Sequence, residues 1–153
     1  FSGDYLEMID FWSDRLIPVL HPAMAQDLLA GGAISELAYI AYPQEVFFGM
    51  IVAERVLPAL GPDILALPRA ETALTMAALE MAAAGFAVAW VPETLARPGI
   101  AQGRIADLSP VLPSCPLSVR AVRLKGVRGP AEEVIWNHIL ALRQDGLADF
   151  VGV

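Results

Sequence analysis

Two apolar runs of strand length, residues 37–42 and 86–91, each pass through a proline into a stretch of helical character. No other feature constrains the chain as much, because a buried strand feeding directly into a helix is the repeating half of an α/β sheet. A third short run, residues 63–67, leads through Pro68-Arg69-Ala70-Glu71-Thr72 into an alanine-rich helix. That helix stops at Gly85, the residue type favoured just past a helix end. Strand, helix, strand thus recurs twice, which predicts parallel strands joined by right-handed crossovers, with helices on the faces of the sheet.

The rest of the chain fills in around this pattern. Leu16-Ile17-Pro18-Val19-Leu20 reads as a buried strand with Pro18 placed where no ladder donor is needed. Residues 22–36, with Gly31-Gly32, read as loop carrying one helical turn over 25–30. Pro43-Gln44-Glu45 sets up a helix over 44–59, the proline suiting the first turn and the acid the positive end of the helix dipole. Its apolar positions cover more than one stripe, so it is expected to be buried on two sides or to meet another chain. A short helix over 93–102 is disturbed at Pro98, and residues 117–125 form a further strand. Gly129-Pro130 opens a last helix whose Val134, Ile135, His138, Ile139, Ala141 and Leu142 make one apolar stripe. The stretch after Asp145 is expected to fray.

Composition narrows the classes of function. The 153 residues hold one ordinary domain or slightly more, and 56% hydrophobic against 18% charged residues excludes a disordered chain. Ten basic and 17 acidic residues give a net charge of −7, which repels a phosphate backbone, so the chain itself is not expected to bind DNA. A lone Cys115 makes no internal disulfide and fits a reducing, cytoplasmic setting. Residues 73–91 are apolar enough to suggest a membrane helix, but Glu80 and Gly85 interrupt them and Pro92 closes them, so no membrane partner is expected. Residue 1 is Phe rather than Met, which reads as part of a longer protein.

The motifs of nucleotide enzymes, serine hydrolases and zinc enzymes are missing, so no catalytic residue, cofactor or metal set is assigned. His138 is read as a helix histidine with its ring in the core, and His21, at a strand end, as a candidate pocket residue. Glu132-Glu133 face apart in a first helical turn and make no acid–base pair. Arg120, Arg123, Lys125 and Arg128 lie in a span without an acid and are read as a solvated strand edge rather than a phosphate site. Cys115 receives no role. What remains are three strand-to-helix junctions, at Tyr42-Pro43-Gln44, at Arg69, Glu71 and Thr72, and at Pro92-Glu93-Thr94. In an open parallel sheet such ends gather at one edge, where helix dipoles and free N–H groups favour a small polar or anionic ligand. The competing reading is that these residues only cap their helices.

Several strings, in this order and spacing, resemble the effector-binding domain of LysR-type transcriptional regulators. They are Asp14-Arg15-Leu16-Ile17-Pro18-Val19, Leu37-Ala38-Tyr39-Ile40-Ala41-Tyr42 and Ala82-Ala83-Ala84-Gly85-Phe86-Ala87-Val88-Ala89-Trp90-Val91-Pro92-Glu93-Thr94-Leu95, followed by Ala101-Gln102-Gly103-Arg104-Ile105. The resemblance implies an α/β, periplasmic-binding-protein-like fold of two Rossmann-like subdomains, the first only partly present. It implies a partial first subdomain with the crossover strands in residues 1–21 and 117–153, and a second, effector-binding subdomain in residues 22–116. It further implies a small-molecule effector and a homodimer; the strand-end reading above places that effector at Tyr42, Pro43, Gln44, Glu71, Thr72, Pro92, Glu93 and His21. DNA would be reached only through a winged helix-turn-helix domain that these residues do not include. The chain departs from the family where Phe86-Ala87 replaces a frequent second glycine, and in having no counterpart of the opening strands of the first subdomain. The alternatives are a transporter's solute-binding protein, or a small α/β enzyme using His21.

Overall fold

The computed structural model describes residues 5–126 and 128–144, so the expectation for the stretch after Asp145 lies outside the described residues. The chain divides into two compact units, one of Phe1–Asp14 with Leu117–Val153 and the other of Arg15–Pro116.

The larger unit is built on the second part of strand β1 (Leu6–Leu20), where residues 16 to 20 are all buried. β1 lies between β4 (Ala89–Pro92) and β5 (Ala106–Asp107), with Leu16 opposite Pro92 and Val19 opposite both Ala89 and Asp107. Both pairings are antiparallel, which corrects the all-parallel expectation. A run buried on both faces suits either strand direction, so its pattern carries no information about polarity. Parallel pairing does hold for β2 (Glu36–Ala41) with β3 (Leu65–Glu71), and for Tyr39 with Val88 at the entry to β4. Pro18 is tolerated because its carbonyl still accepts from the Leu108 N–H at 2.8 Å.

Three boundaries differ from the sequence reading for local reasons. Residues expected to be loop form helix α1 (Pro22–Leu29), because His21 Nδ1 accepts the Ala23 N–H at 3.2 Å and Pro22 pre-sets the first turn. Histidine stands outside the usual capping residues, which hid the signal. The helix expected over 44–59 begins later, as α2 (Phe47–Ile51), after a turn closed by the Val46 N–H on the Pro43 carbonyl. It then loosens into a π-helical turn, Val52–Val56, and tightens into a 3-10 turn, Leu57–Leu60. β3 runs through Pro68 to Glu71, with a register shift opposite Tyr39 and Ile40, and the Thr72 N–H adds a last rung to the Ala41 carbonyl. Helix α3 (Thr75–Ala83) therefore starts three residues beyond Thr72, and buries Ala78, Leu79 and Ala82. Helix α4 (Glu93–Ala101) continues through Pro98.

The core of this unit centres on Trp90, fully buried with Leu16, Ile17, Ile40, Val56 and Leu108. Its indole N–H donates to the Pro113 carbonyl at 2.8 Å, which satisfies the one polar atom that burial would strand.

The smaller unit pairs the first part of β1 with β6 (Cys115–Leu124) and carries α5 (Pro130–Gln144). The basic cluster is not a bare edge. Arg120 meets Asp10 at 2.9 Å, and Arg123 and Arg128 share Glu7 and Glu133 at 2.8–3.4 Å. The acids missing from the local sequence come from β1 and α5. The Arg123 guanidinium also lies 4.2 Å from the Trp136 ring centre. Among the described side chains of α5, Trp136 is the buried one; His138, expected in the core, is exposed. Val134 and Ile135 remain 68% and 62% exposed, next to it on α5. Cys115 is buried at the start of β6.

Candidate functional site

Parallel pairing brings the C-terminal ends of β2 and β3 to one edge of the larger unit, and the Tyr39–Val88 bridge directs β4 the same way. The Ile40 N–H donates to the Val88 carbonyl at 2.8 Å, and the carbonyl two residues on, at Trp90, faces the same side. The Tyr42 hydroxyl takes that next rung, donating to the Trp90 carbonyl at 2.9 Å. Burial pushes the Tyr42 phenol up to about 12, against a smaller opposing effect of the Thr75 hydroxyl, so it stays a neutral donor. Tyr42 therefore anchors the junction.

Below this edge, between the β2–β3 face and the helical segment after Val46, lies a cavity of 180 Å³. Strand alternation puts Tyr39 and Ala41 on its sheet side, joined by Pro68 and Glu71, while Gly49, Val52, Ala53 and Leu57 form the opposite wall. Gly49 is obligatory here. A Cβ at that position would drive into the Pro43 carbonyl oxygen, so only glycine lets the helix approach the turn.

Of the sequence candidates, Tyr42, Gln44 and Glu71 line this cavity together. Pro43 forms the turn over it, through its carbonyl. Thr72 sits beside Glu71, but its Oγ1 accepts the Leu74 N–H at 3.1 Å, a local turn. Pro92 closes β4 opposite Leu16, and Glu93, first residue of α4, accepts from Arg15 Nε at 3.0 Å. His21 is not brought to this cavity. It lines a separate hollow with Glu80, Ala83, Ala84, Gly103 and Arg104, its Nδ1 occupied as the α1 cap.

Sequence reasoning missed Tyr39 and Gly49. Tyr39 was visible in principle, since it precedes Ala41 by two on a strand already recognised and so shares its face. Gly49 carried no signal, because its role depends on a turn that the expected helix start concealed. Among the described residues, no group of three or more His, Cys, Asp or Glu side chains is placed to hold a metal ion. No helix among them is long and apolar enough to cross a membrane.

Comparison with known proteins decides the family. The LysR substrate binding domain matches residues 3–144. This chain belongs to that family. Members of the LysR substrate binding domain family are regulatory parts of transcription regulators, and the α/β, periplasmic-binding-protein-like class is theirs. Among solved structures, a LysR family transcriptional regulator, VV2_1132, is 25% identical with a TM-score of 0.74, over 89% of this chain and 44% of that one. The apo regulatory domain of HypT from Salmonella typhimurium is similar in fold, with 18% identity and a TM-score of 0.79 over 95% of this chain and 68% of that one. Full-length LysG from Corynebacterium glutamicum with bound effector Arg gives 14% identity and 0.69 over 94% and 48%. The chain thus spans less than half the length of VV2_1132 and of LysG. No curated protein matches the sequence.

Proposed function

We propose that this LysR-family chain is a ligand-sensing regulatory domain, not an enzyme, acting in the cytoplasm. A small-molecule effector binds at the strand-end edge marked by Tyr42, Pro43, Gln44, Glu71, Thr72, Pro92 and Glu93. Binding favours one arrangement of a homodimer over another and so biases an attached winged helix-turn-helix domain, the only route to DNA. The family match over residues 3–144 carries this reading. The cavity under the edge supports it, since sensing needs a pocket and no nucleophile. His21, occupied as a helix cap in another hollow, is left outside the site.

The test is an amide-resolved NMR titration of the 153-residue chain with a panel of small organic acids, amines and neutral alcohols. The expected result is that at least one class moves the Ala41, Gln44, Glu71 and Thr72 signals together. A panel whose only responses lie elsewhere would relocate the site and remove the basis for this edge.

A further inference from the structure

The cavity beneath β2 and β3 holds two oxygen-bearing side chains without a partner. Tyr39 is 8% exposed, yet its hydroxyl makes no hydrogen bond among the described residues. The hydroxyl oxygen itself keeps access to solvent, so it is open to a ligand entering the cavity that Tyr39 lines. Glu71, on the same wall, forms no ion pair or hydrogen bond among the described residues. The basic residue two positions before it, Arg69, is engaged elsewhere, with its guanidinium 5.0 Å from the Phe86 ring centre. Burial, and then the charge of Glu71, raise the Tyr39 phenol, so it stays protonated beside that carboxylate.

Gln44 adds an amide to the lining, and the helical wall is apolar: Val52, Ala53 and Leu57, the first two within the π-helical turn. Such turns widen a helix locally and recur at functional sites. At 180 Å³ the space is smaller than the roughly 300–1,000 Å³ that takes a drug-sized ligand. Its occupant is short, apolar at one end, and rich in donors at the other.

We propose that this cavity binds a short primary organic ammonium, with the Glu71 carboxylate taking the charge and the Tyr39 hydroxyl oxygen accepting one N–H. The inference rests on the reading of this edge as the effector site and assigns the effector's chemical class. An ammonium supplies three donors and no acceptor, which matches two acceptor oxygens, whereas a carboxylate would meet Glu71 as a like charge. The alkyl part packs on Val52, Ala53 and Leu57.

The experiment compares n-butylammonium, butyrate and n-butanol by NMR titration of the 153-residue chain, its Glu71→Gln variant and its Tyr39→Phe variant. Butylammonium is expected to move the Gln44 and Glu71 amides, weakening about tenfold or more in Glu71→Gln and about threefold or more in Tyr39→Phe. Glu71 is exposed and Tyr39→Phe keeps its ring, so the amide signals away from the cavity stay in place and report an intact fold. Butyrate or butanol binding there as well as the amine, or an amine response unchanged in Glu71→Gln, overturns the ammonium assignment and leaves the effector site standing. Silence of these amides with all three probes overturns the assignment, and silence with the whole panel above removes the site as well.

Discussion

Two residues of the larger unit do work that their types alone would not suggest. Tyr42 uses its side chain where β2 would otherwise use backbone, completing a rung to Trp90 after the strand has turned away. Tyr39, three residues earlier and within β2, lines the cavity instead, and its hydroxyl makes no hydrogen bond among the described residues. Gly49 is what lets the helical wall come close enough to make a cavity at all. Gly49→Ala is expected to destabilise the fold by about 1–3 kcal/mol, as overpacking against fixed backbone does. Urea denaturation followed by tryptophan fluorescence measures it, and an unchanged midpoint would mean that the turn at Pro43 yields easily.

At the level of elements, charge as well as apolar burial joins β1, β6 and α5. Glu7 accepts from both Arg123 and Arg128, and the Arg123 hydrogen bond above all holds its carboxyl below the ordinary 4.5. The unfolded chain, with the ordinary value, takes up the proton first. Stability from this contact is therefore complete above about pH 4.5 and lost as pH falls through the lower folded value. Glu7→Gln is expected to flatten that acid loss, read as a shallower dependence of melting temperature on pH between about 5 and 3. An identical slope in the variant would show the network to be passive. None of this was legible in the chain itself. Glu7 and Arg123 are far apart in sequence, and charged residues on β1 obscure its alternation. Strand β2, the approach to β4 and helix α3 were legible because their apolar runs and punctuation are local signals. The half of the site carried by strand ends, Tyr42, Gln44 and Glu71, followed from topology. The half carried by Gly49, Val52, Ala53 and Leu57 depended on a helix that starts late and changes pitch, which no periodicity encodes.

For the whole molecule, the proposed homodimer has surface to draw on, since α5 leaves Val134 and Ile135 largely exposed. Light scattering at concentrations on the order of tens of micromolar is expected to give twice the chain mass, and a stable monomer there would defeat the pairing. Association of this ordered kind has a disordered competitor. β3 is the outer strand of its two-stranded sheet, yet Pro68 in its middle has no N–H to offer and the register shift beside it bends the ladder. A foreign strand arriving at that border finds its hydrogen-bond template broken halfway along. Leu65 and Leu67, open to solvent on that strand, therefore sit beside a broken template rather than a continuous one.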